Sequence, residues 1–133
     1  MFLQGELGAG KTTLARGLLH QLGVTGYVRS PSYTLLETYH AGGLRVLHLD
    51  LYRLEGAGDL AVLGLRDELD PGTLLLIEWP ERAADTLPAP DLCVTLSIAG
   101  HGRQARLEAA TAPGAAWLEA TRSGLAIAEM KGV

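Results

Sequence analysis

The chain has 133 residues, of which 47% are hydrophobic and 20% are charged, a composition typical of a folded domain and too apolar for a disordered one. It contains no apolar run of the roughly 18 residues that a membrane span requires, and its first residues lack the length and charge of a signal peptide, so we expect a cytoplasmic protein without a membrane segment. The net charge of −4 and the scattered basic residues argue against direct binding of a nucleic acid backbone, so any RNA would be held indirectly, through a partner protein.

The first elements in chain order are a strand, a glycine-rich loop and a helix. Met1–Gln4 is a short apolar stretch, and Gly5–Gly10 follows it directly. In Thr12–Leu22 every fourth residue is a leucine from position 14 onward, which predicts an amphipathic helix. Gly23 is a typical C-terminal stop for such a helix.

Two hairpins are predicted farther along the chain, because alternating segments flank short turn sequences. The paired segments are Leu35–His40 with Leu44–Leu49, and Leu92–Ile98 with Gln104–Ala109. The expected turns are Gly42-Gly43 and Ala99–Gly102.

Three further segments complete the pattern. Asp59–Asp67 is weakly helical, and Ala115–Met130 is a candidate closing helix. Leu74–Ile77 is a continuous apolar run, as expected for a strand that is buried on both faces. The single cysteine, Cys93, lies in an apolar alternating run and is expected to be a reduced, buried thiol. The sequence thus predicts one α/β domain over residues 1–133, with a mixed, P-loop NTPase-like sheet that is flanked by helices and includes antiparallel hairpins.

The glycine-rich loop carries the clearest chemical signal in the chain. Gly5–Thr12 reads GELGAGKT and matches the pattern G-x-x-x-x-G-K-[ST], which a random chain of this composition contains with a probability of about 0.003. Glycines let consecutive backbone N–H groups point at phosphate oxygens, and the start of the following helix adds the positive end of its dipole. Lys11 can then reach the β- and γ-phosphates of ATP, and the Thr12 hydroxyl can bind Mg²⁺.

The lysine of this motif stands out against the rest of the composition. Lys11 and Lys131 are the two lysines among 11 basic residues. Since almost all other basic residues are arginines, the lysine at position 11 fits a site that favours a compact ammonium over a guanidinium.

Carboxylates are also needed, both for the metal and for the attacking water. Glu78 directly follows the buried run Leu74–Ile77 and is the candidate metal residue, with a structural helix cap as the alternative. Asp50 ends a predicted strand on the same face as His48 and Tyr52, and it could orient water or act in a switch, or be a turn residue. His48 taken alone is expected to be structural.

A loop with hydroxyl side chains lies between the predicted helix and the first predicted hairpin. Ser30-Pro31-Ser32-Tyr33 could order near a γ-phosphate and relax after hydrolysis, although Ser-Pro is also an ordinary turn signal.

Four blocks in this order and spacing resemble one family. GELGAGKTTLARG, SPSYTLLETY, LHLDLYRLE and LIEWPE are similar to the bacterial tRNA threonylcarbamoyladenosine biosynthesis ATPase family, TsaE. The resemblance extends from Gly5 to about Arg106. It implies a Mg²⁺-dependent ATPase, weak on its own, that works with a TsaD–TsaB heterodimer, the partner that modifies adenosine in tRNA.

The resemblance also implies roles for individual residues. Lys11, Asp50 and Glu78 would serve catalysis, and Thr12 and Glu78 would bind Mg²⁺. The nucleotide would contact Gly5, Gly8, Ala9, Gly10, Lys11, Thr12, Thr13, Ser32 and Gly102.

Two positions depart from the family pattern. Ser32 stands where the family usually has threonine, which keeps the hydroxyl. The family also has a longer segment before the P-loop than Met1–Gln4. We therefore expect an edge of the first strand to lack a partner, lower stability than in a version extended upstream, and binding dominated by the phosphates with little discrimination between ATP and GTP.

Two other functions fit the same motif. A P-loop small-molecule kinase would transfer phosphate to an acceptor other than water, and Arg53 and Arg66 are its candidate lid arginines. A nucleotide-gated binding module would bind ATP and change shape with negligible turnover on its own. The products formed and the ATPase rate with and without partners distinguish these functions.

Overall fold

The computed structural model describes residues 1–55 and 64–130. Its strands are β1 (Phe2–Gly5), β2 (Leu36–Ala41), β3 (Leu44–Asp50), β4 (Thr73–Glu78), β5 (Leu92–Ala99) and β6 (Gly102–Ala109). Its helices are α1 (Lys11–Gln21) and α2 (Ala112–Met130), with short 3₁₀ turns at Leu65–Glu68 and Pro80–Ala83. Among the described residues, no helix is long and apolar enough to cross a membrane.

The strands of the described residues form one mixed sheet in the order β2-β3-β4-β1-β5-β6. The central strands β3, β4, β1 and β5 run parallel, and the edge strands β2 and β6 pair antiparallel with β3 and β5. Both edge strands are therefore the outer arms of the two predicted hairpins. In the first hairpin, Gly42 and Gly43 both take the positive φ angles that its tight turn requires.

The expectation of an unpaired β1 is wrong. Phe2 pairs with Ile77 of β4 on one side and with Cys93 of β5 on the other. The partner on the second side comes from the second hairpin, whose inner strand lies parallel to β1. Pairing between strands so distant in the chain cannot be read from local periodicity.

The helices agree with the predicted segments to within a few residues. α1 begins at Lys11, and after it Gly23 adopts φ 106° while its N–H donates to the carbonyl of His20. α2 begins at Ala112, where the Thr111 hydroxyl accepts a hydrogen bond from the Gly114 N–H. The predicted Asp59–Asp67 helix lies largely outside the described residues, and its last residues fall in the 3₁₀ turn.

Two apolar clusters cover the two faces of the sheet. Neighbouring residues of one strand point to opposite faces, so that Val46 and Leu76 join the cluster around α1, while Leu47 and Ile77 join the other. This alternation explains why β4 reads as a continuous apolar run. Cys93 is half-buried rather than fully buried, and its partial burial raises the pKa of the thiol.

Candidate nucleotide site

The carboxyl ends of three parallel strands bring the predicted residues to one edge of the sheet. β1 ends at Gly5, β3 at Asp50 and β4 at Glu78. Asp50 lies opposite Glu78 in the β3–β4 register, and Leu3 of β1 pairs with Glu78. Ligands of open α/β sheets bind at this edge, because the loops that follow the strands meet there.

The glycines of the loop serve different physical needs. Gly5 packs so closely on β5 that a Cβ atom would collide with the Leu96 carbonyl oxygen. Gly8 and Gly10 face open space and adopt φ angles of 81° and 104°, which a residue with a side chain rarely takes. Gly5 is therefore required for strand packing, and the other two for the curl of the loop.

The loop leads directly into α1 and leaves backbone donors available. Ala9 is buried and its N–H donates to the Glu6 carbonyl. Gly10 precedes the helix, and no side chain caps the first turn. The first N–H groups of a helix have no partner within the helix, so this end of α1 can donate to an anion.

Lys11 is held inside the loop by the protein itself. Its Nζ donates to the carbonyl oxygens of Gly5, at 2.6 Å, and Glu6, at 2.9 Å, and lies 4.1 Å from the Trp79 ring centroid. Burial lowers the pKa of Lys11, although Glu78 and other nearby carboxylates act in the opposite direction. A phosphate group would compete with these carbonyls for the ammonium.

Thr12, Glu78 and His48 form a chain of hydrogen bonds. The Thr12 hydroxyl donates to Oε1 of Glu78 at 2.6 Å. The other carboxylate oxygen, Oε2, lies 2.7 Å from Nε2 of His48. Both His48 and Glu78 are buried. The carboxylate therefore joins the start of α1 to the interior of β3.

Asp50 lies beside this chain of hydrogen bonds and contacts the serine loop, Ser30-Pro31-Ser32-Tyr33. Its Oδ1 accepts from the Tyr52 N–H at 3.0 Å, and its Oδ2 accepts from the Ser32 hydroxyl at 3.2 Å. Burial raises the pKa of Asp50, and the Tyr52 hydrogen bond opposes the rise. The structure thus connects the serine loop to the end of β3, as a switch segment requires.

Trp79 occupies an unusual backbone conformation directly after Glu78. Its φ angle of 58° is left-handed, which is uncommon for a residue with a bulky side chain. This turn places the indole between Lys11 and Tyr52, whose ring centroid lies 5.0 Å away. Pro80 then begins the 3₁₀ turn.

The remaining predicted residues lie farther out. Thr13 is exposed on the first turn of α1, and Gly102 begins β6 in the exposed second hairpin. Arg103, which sequence reasoning missed, donates to the carbonyls of Gly102, at 2.9 Å, and Gly8, at 3.3 Å. The hairpin turn therefore reaches the P-loop through Arg103, a contact between residues too distant in the chain for a local pattern to reveal.

The oxygen donors at this edge suit Mg²⁺. Within the described residues, no group of three or more His, Cys, Asp or Glu side chains could hold a metal by itself. The Thr12 hydroxyl and the Glu78 and Asp50 carboxylates are hard ligands of the kind Mg²⁺ prefers, and Mg²⁺ usually completes its shell with water and substrate phosphates. The donor set fits a metal that arrives with a nucleotide.

Of the two candidate kinase arginines, the structure describes the contacts of Arg53 only. The Arg53 guanidinium lies 4.5 Å from the Tyr33 ring centroid, and both residues are exposed. Arg66 lies in the 3₁₀ turn Leu65–Glu68, and its side chain is outside the description.

Comparison with known proteins identifies the family. The family model described as "Threonylcarbamoyl adenosine biosynthesis protein TsaE" matches residues 1–107. The chain belongs to the TsaE family. A TsaE relative from Haemophilus influenzae, named as a tRNA threonylcarbamoyladenosine biosynthesis protein, is 42% identical over 111 residues, which cover 84% of this chain and 70% of the relative.

Other TsaE relatives and a solved structure agree. TsaE from Treponema pallidum is 37% identical, covering 77% of this chain and 75% of its own length. TsaE from Bacillus subtilis is also 37% identical, covering 74% of this chain and 61% of its own length. The crystal structure of Bacillus subtilis YdiB superposes with a TM-score of 0.76 at 29% identity, covering 92% of this chain and 76% of that one. This similarity confirms the predicted α/β, P-loop NTPase-like fold.

Proposed function

We propose that this TsaE-family chain binds ATP with Mg²⁺ at the carboxyl edge of its sheet and hydrolyses ATP in the threonylcarbamoyladenosine modification of tRNA. The observation that carries the proposal is the Thr12–Glu78 hydrogen bond beside Lys11. It places a P-loop hydroxyl, a strand-end carboxylate and an ammonium together at the start of an uncapped helix.

Each side chain then has a task that follows from its contacts. Lys11 would exchange the Gly5 and Glu6 carbonyls for phosphate oxygens, which carry more negative charge. Because the Thr12 hydroxyl donates its hydrogen bond to Glu78, its oxygen lone pairs remain available to a cation. Asp50, held by the Tyr52 N–H, would orient the attacking water. The bound Mg²⁺ would neutralise charge on the phosphates.

Other residues at this edge of the sheet would also contact the nucleotide. Backbone N–H groups from Gly8 to Thr13 would surround the phosphates, and the Ala9 N–H would exchange its bond to the Glu6 carbonyl for a phosphate oxygen. Ser32 would sense the γ-phosphate through its contact with Asp50, and Gly102 would approach the nucleotide with the second hairpin. The discrimination between ATP and GTP, expected to be small, stays a prediction.

The partner of this activity would be a TsaD–TsaB heterodimer, with tRNA held only through it. The net charge of −4 supports an indirect contact with tRNA, since a chain that binds RNA directly usually presents clustered cations. Turnover by the isolated chain is expected to be weak.

Paired substitutions test the proposal. Lys11→Ala should weaken ATP binding or partner-dependent turnover at least about tenfold, because the ammonium is lost from a buried phosphate site. Glu78→Gln should lower Mg²⁺-dependent hydrolysis much more than nucleotide affinity, because the backbone donors remain. Lys131→Ala, at the other lysine, is the control. Calorimetry and phosphate release measure the two effects, and ATP affinity and turnover of Lys11→Ala within twofold of wild type contradict the proposal.

A second function receives support from one observation. Lys11 is bonded to two loop carbonyls, so phosphate binding must exchange these contacts and can change the conformation of the loop. This is what a nucleotide-gated binding module requires. Partner binding that depends on ATP, together with turnover that stays negligible after the partner is added, would favour this module over the ATPase.

A further inference from the structure

His48 occupies an unusual place for an ionisable side chain. It lies on β3, is completely buried, and pairs in register with Leu76 of the neighbouring strand. Glu78 is two residues farther along β4 and therefore points to the same face of the sheet. His48 thus contacts Oε2 of Glu78 from the interior, whereas Thr12 contacts Oε1.

A neutral imidazole carries its proton on either Nδ1 or Nε2, and only one of these two tautomers suits the environment of His48. Nε2 lies 2.7 Å from Oε2 of Glu78, whereas Nδ1 is buried and has no hydrogen-bond partner among the described residues. With the proton on Nδ1, an N–H group would be buried without an acceptor, and the lone pair of Nε2 would face a carboxylate oxygen. Both are unfavourable, so the geometry assigns the proton to Nε2.

We propose that His48 is a positioning residue that holds Glu78 for the metal-dependent step. Its Nε2–H donates to Oε2 and thereby fixes the rotation of the carboxylate, so that Oε1 faces the Thr12 hydroxyl. This inference rests on the proposed ATP·Mg²⁺ site. A group that orients a ligand through its second oxygen commonly affects metal affinity about 10- to 100-fold.

The role depends on where the donor sits rather than on the imidazole itself. A glutamine amide nitrogen can occupy the place of Nε2 and donate to Oε2. An asparagine amide nitrogen reaches only to the place of Nδ1 and leaves Oε2 without its donor. Both replacements introduce a neutral amide into the same buried position, so their difference isolates the hydrogen bond.

Calorimetry with a non-hydrolysable ATP analogue tests this difference. The measured quantity is the factor by which Mg²⁺ tightens analogue binding relative to EDTA. We expect this factor to stay within about threefold of wild type in His48→Gln and to fall at least about tenfold in His48→Asn, while affinity in EDTA changes little. His40→Asn, at an exposed histidine of β2, is the control and should behave as wild type.

The possible outcomes separate this inference from the proposed function. Equal Mg²⁺ factors in His48→Asn and wild type overturn the positioning role, and so does a loss of similar size in His48→Gln. If His48→Asn does not fold, the Mg²⁺ factor of His48→Gln is the deciding measurement, and the proposal requires it to stay within about threefold of wild type. A wild-type chain that does not bind the analogue with or without Mg²⁺ instead contradicts the nucleotide site itself.

A spectroscopic measurement without metal or nucleotide provides an independent test. Nitrogen-15 NMR of the imidazole should show the proton of His48 on Nε2, and Glu78→Gln should shift this signal. A proton on Nδ1 overturns the proposal, because His48 could then not donate to the carboxylate.

Discussion

Burial raises the pKa of Asp50 above its ordinary value of 3.8, and the nearby Glu78 carboxylate adds to the rise. The folded chain therefore holds a proton on this group more tightly than the unfolded chain does. The stability that this group contributes is present at low pH and is lost as the pH rises through the raised pKa. At neutral pH, a buried carboxylate at this edge costs stability that a neutral side chain would not.

Asp50→Asn should therefore raise the melting temperature at neutral pH by a few degrees, measured without nucleotide and in EDTA. The asparagine oxygen can still accept from the Tyr52 N–H, and the Ser32 hydroxyl can accept from the new amide. The gain should shrink as the pH is lowered from neutral through the raised pKa, because the wild-type carboxyl then becomes protonated. Asp85→Asn, at an exposed aspartate, is the control. A lower melting temperature for Asp50→Asn at neutral pH contradicts the argument.

The junction of β1 and the P-loop packs closely against the neighbouring strand β5. Gly5 lies at the end of β1 and is paired with Leu96 of β5, whose carbonyl oxygen occupies the space of a Cβ atom. The first glycine of the motif therefore serves sheet packing, in addition to its proposed place in the phosphate site.

Gly5→Ala should destabilise the chain by about 2 kcal/mol or more, because either β1 or β5 must shift and because the φ angle of 147° at Gly5 disfavours any side chain. Gly8→Ala is the matched control, since its Cβ would meet open space and only the strain of its φ angle remains, roughly 1 kcal/mol. Urea unfolding of both variants measures the difference. Equal losses would show that the close approach to β5 is unimportant.

The turn that joins β4 to the Pro80–Ala83 segment connects the proposed metal residue, Glu78, to an aromatic side chain. Trp79 contacts the Lys11 ammonium and the Tyr52 ring. A phosphate that draws Lys11 away changes the environment of the indole.

Tryptophan emission should therefore change on addition of ATP·Mg²⁺, measured in a Trp117→Phe background so that Trp79 is the single reporter. Lys11→Ala in the same background should reduce the change, because the contact between the ammonium and the indole is missing. Flat emission at saturating nucleotide, with binding verified by calorimetry, contradicts this placement of Trp79.

The whole molecule is acidic, although its proposed pathway acts on tRNA. With 11 basic and 15 acidic residues, its long-range field repels an RNA backbone. This charge supports the proposal that contact with tRNA is made through a partner.

We therefore expect little binding of tRNA by the isolated chain at about 0.15 M salt, measured by fluorescence anisotropy with bulk tRNA. Lowering the salt concentration should strengthen binding only slightly, because few phosphates would be neutralised. Tight binding that weakens steeply with salt would contradict an indirect contact and indicate a basic surface on the chain itself.

The sequence by itself determined the features that depend on short stretches of chain. The P-loop, α1, the two hairpins and the positions of Asp50 and Glu78 at strand ends all follow from local spacing, because glycine φ angles, helical periodicity and strand alternation are local properties. The family follows from four such blocks. Local spacing could not reveal which strands would lie on either side of β1.

Only the tertiary structure decided the contacts between distant segments. The bond from His48 to Glu78, the position of the Trp79 ring beside Lys11, and the bond from Arg103 to Gly8 depend on the sheet order and on the register of strands far apart in the chain. The alternation of β3 placed His48 on the face of Asp50, but its partner comes from β4. Pairing between distant strands is set by the packing of the whole chain, and no local pattern specifies it.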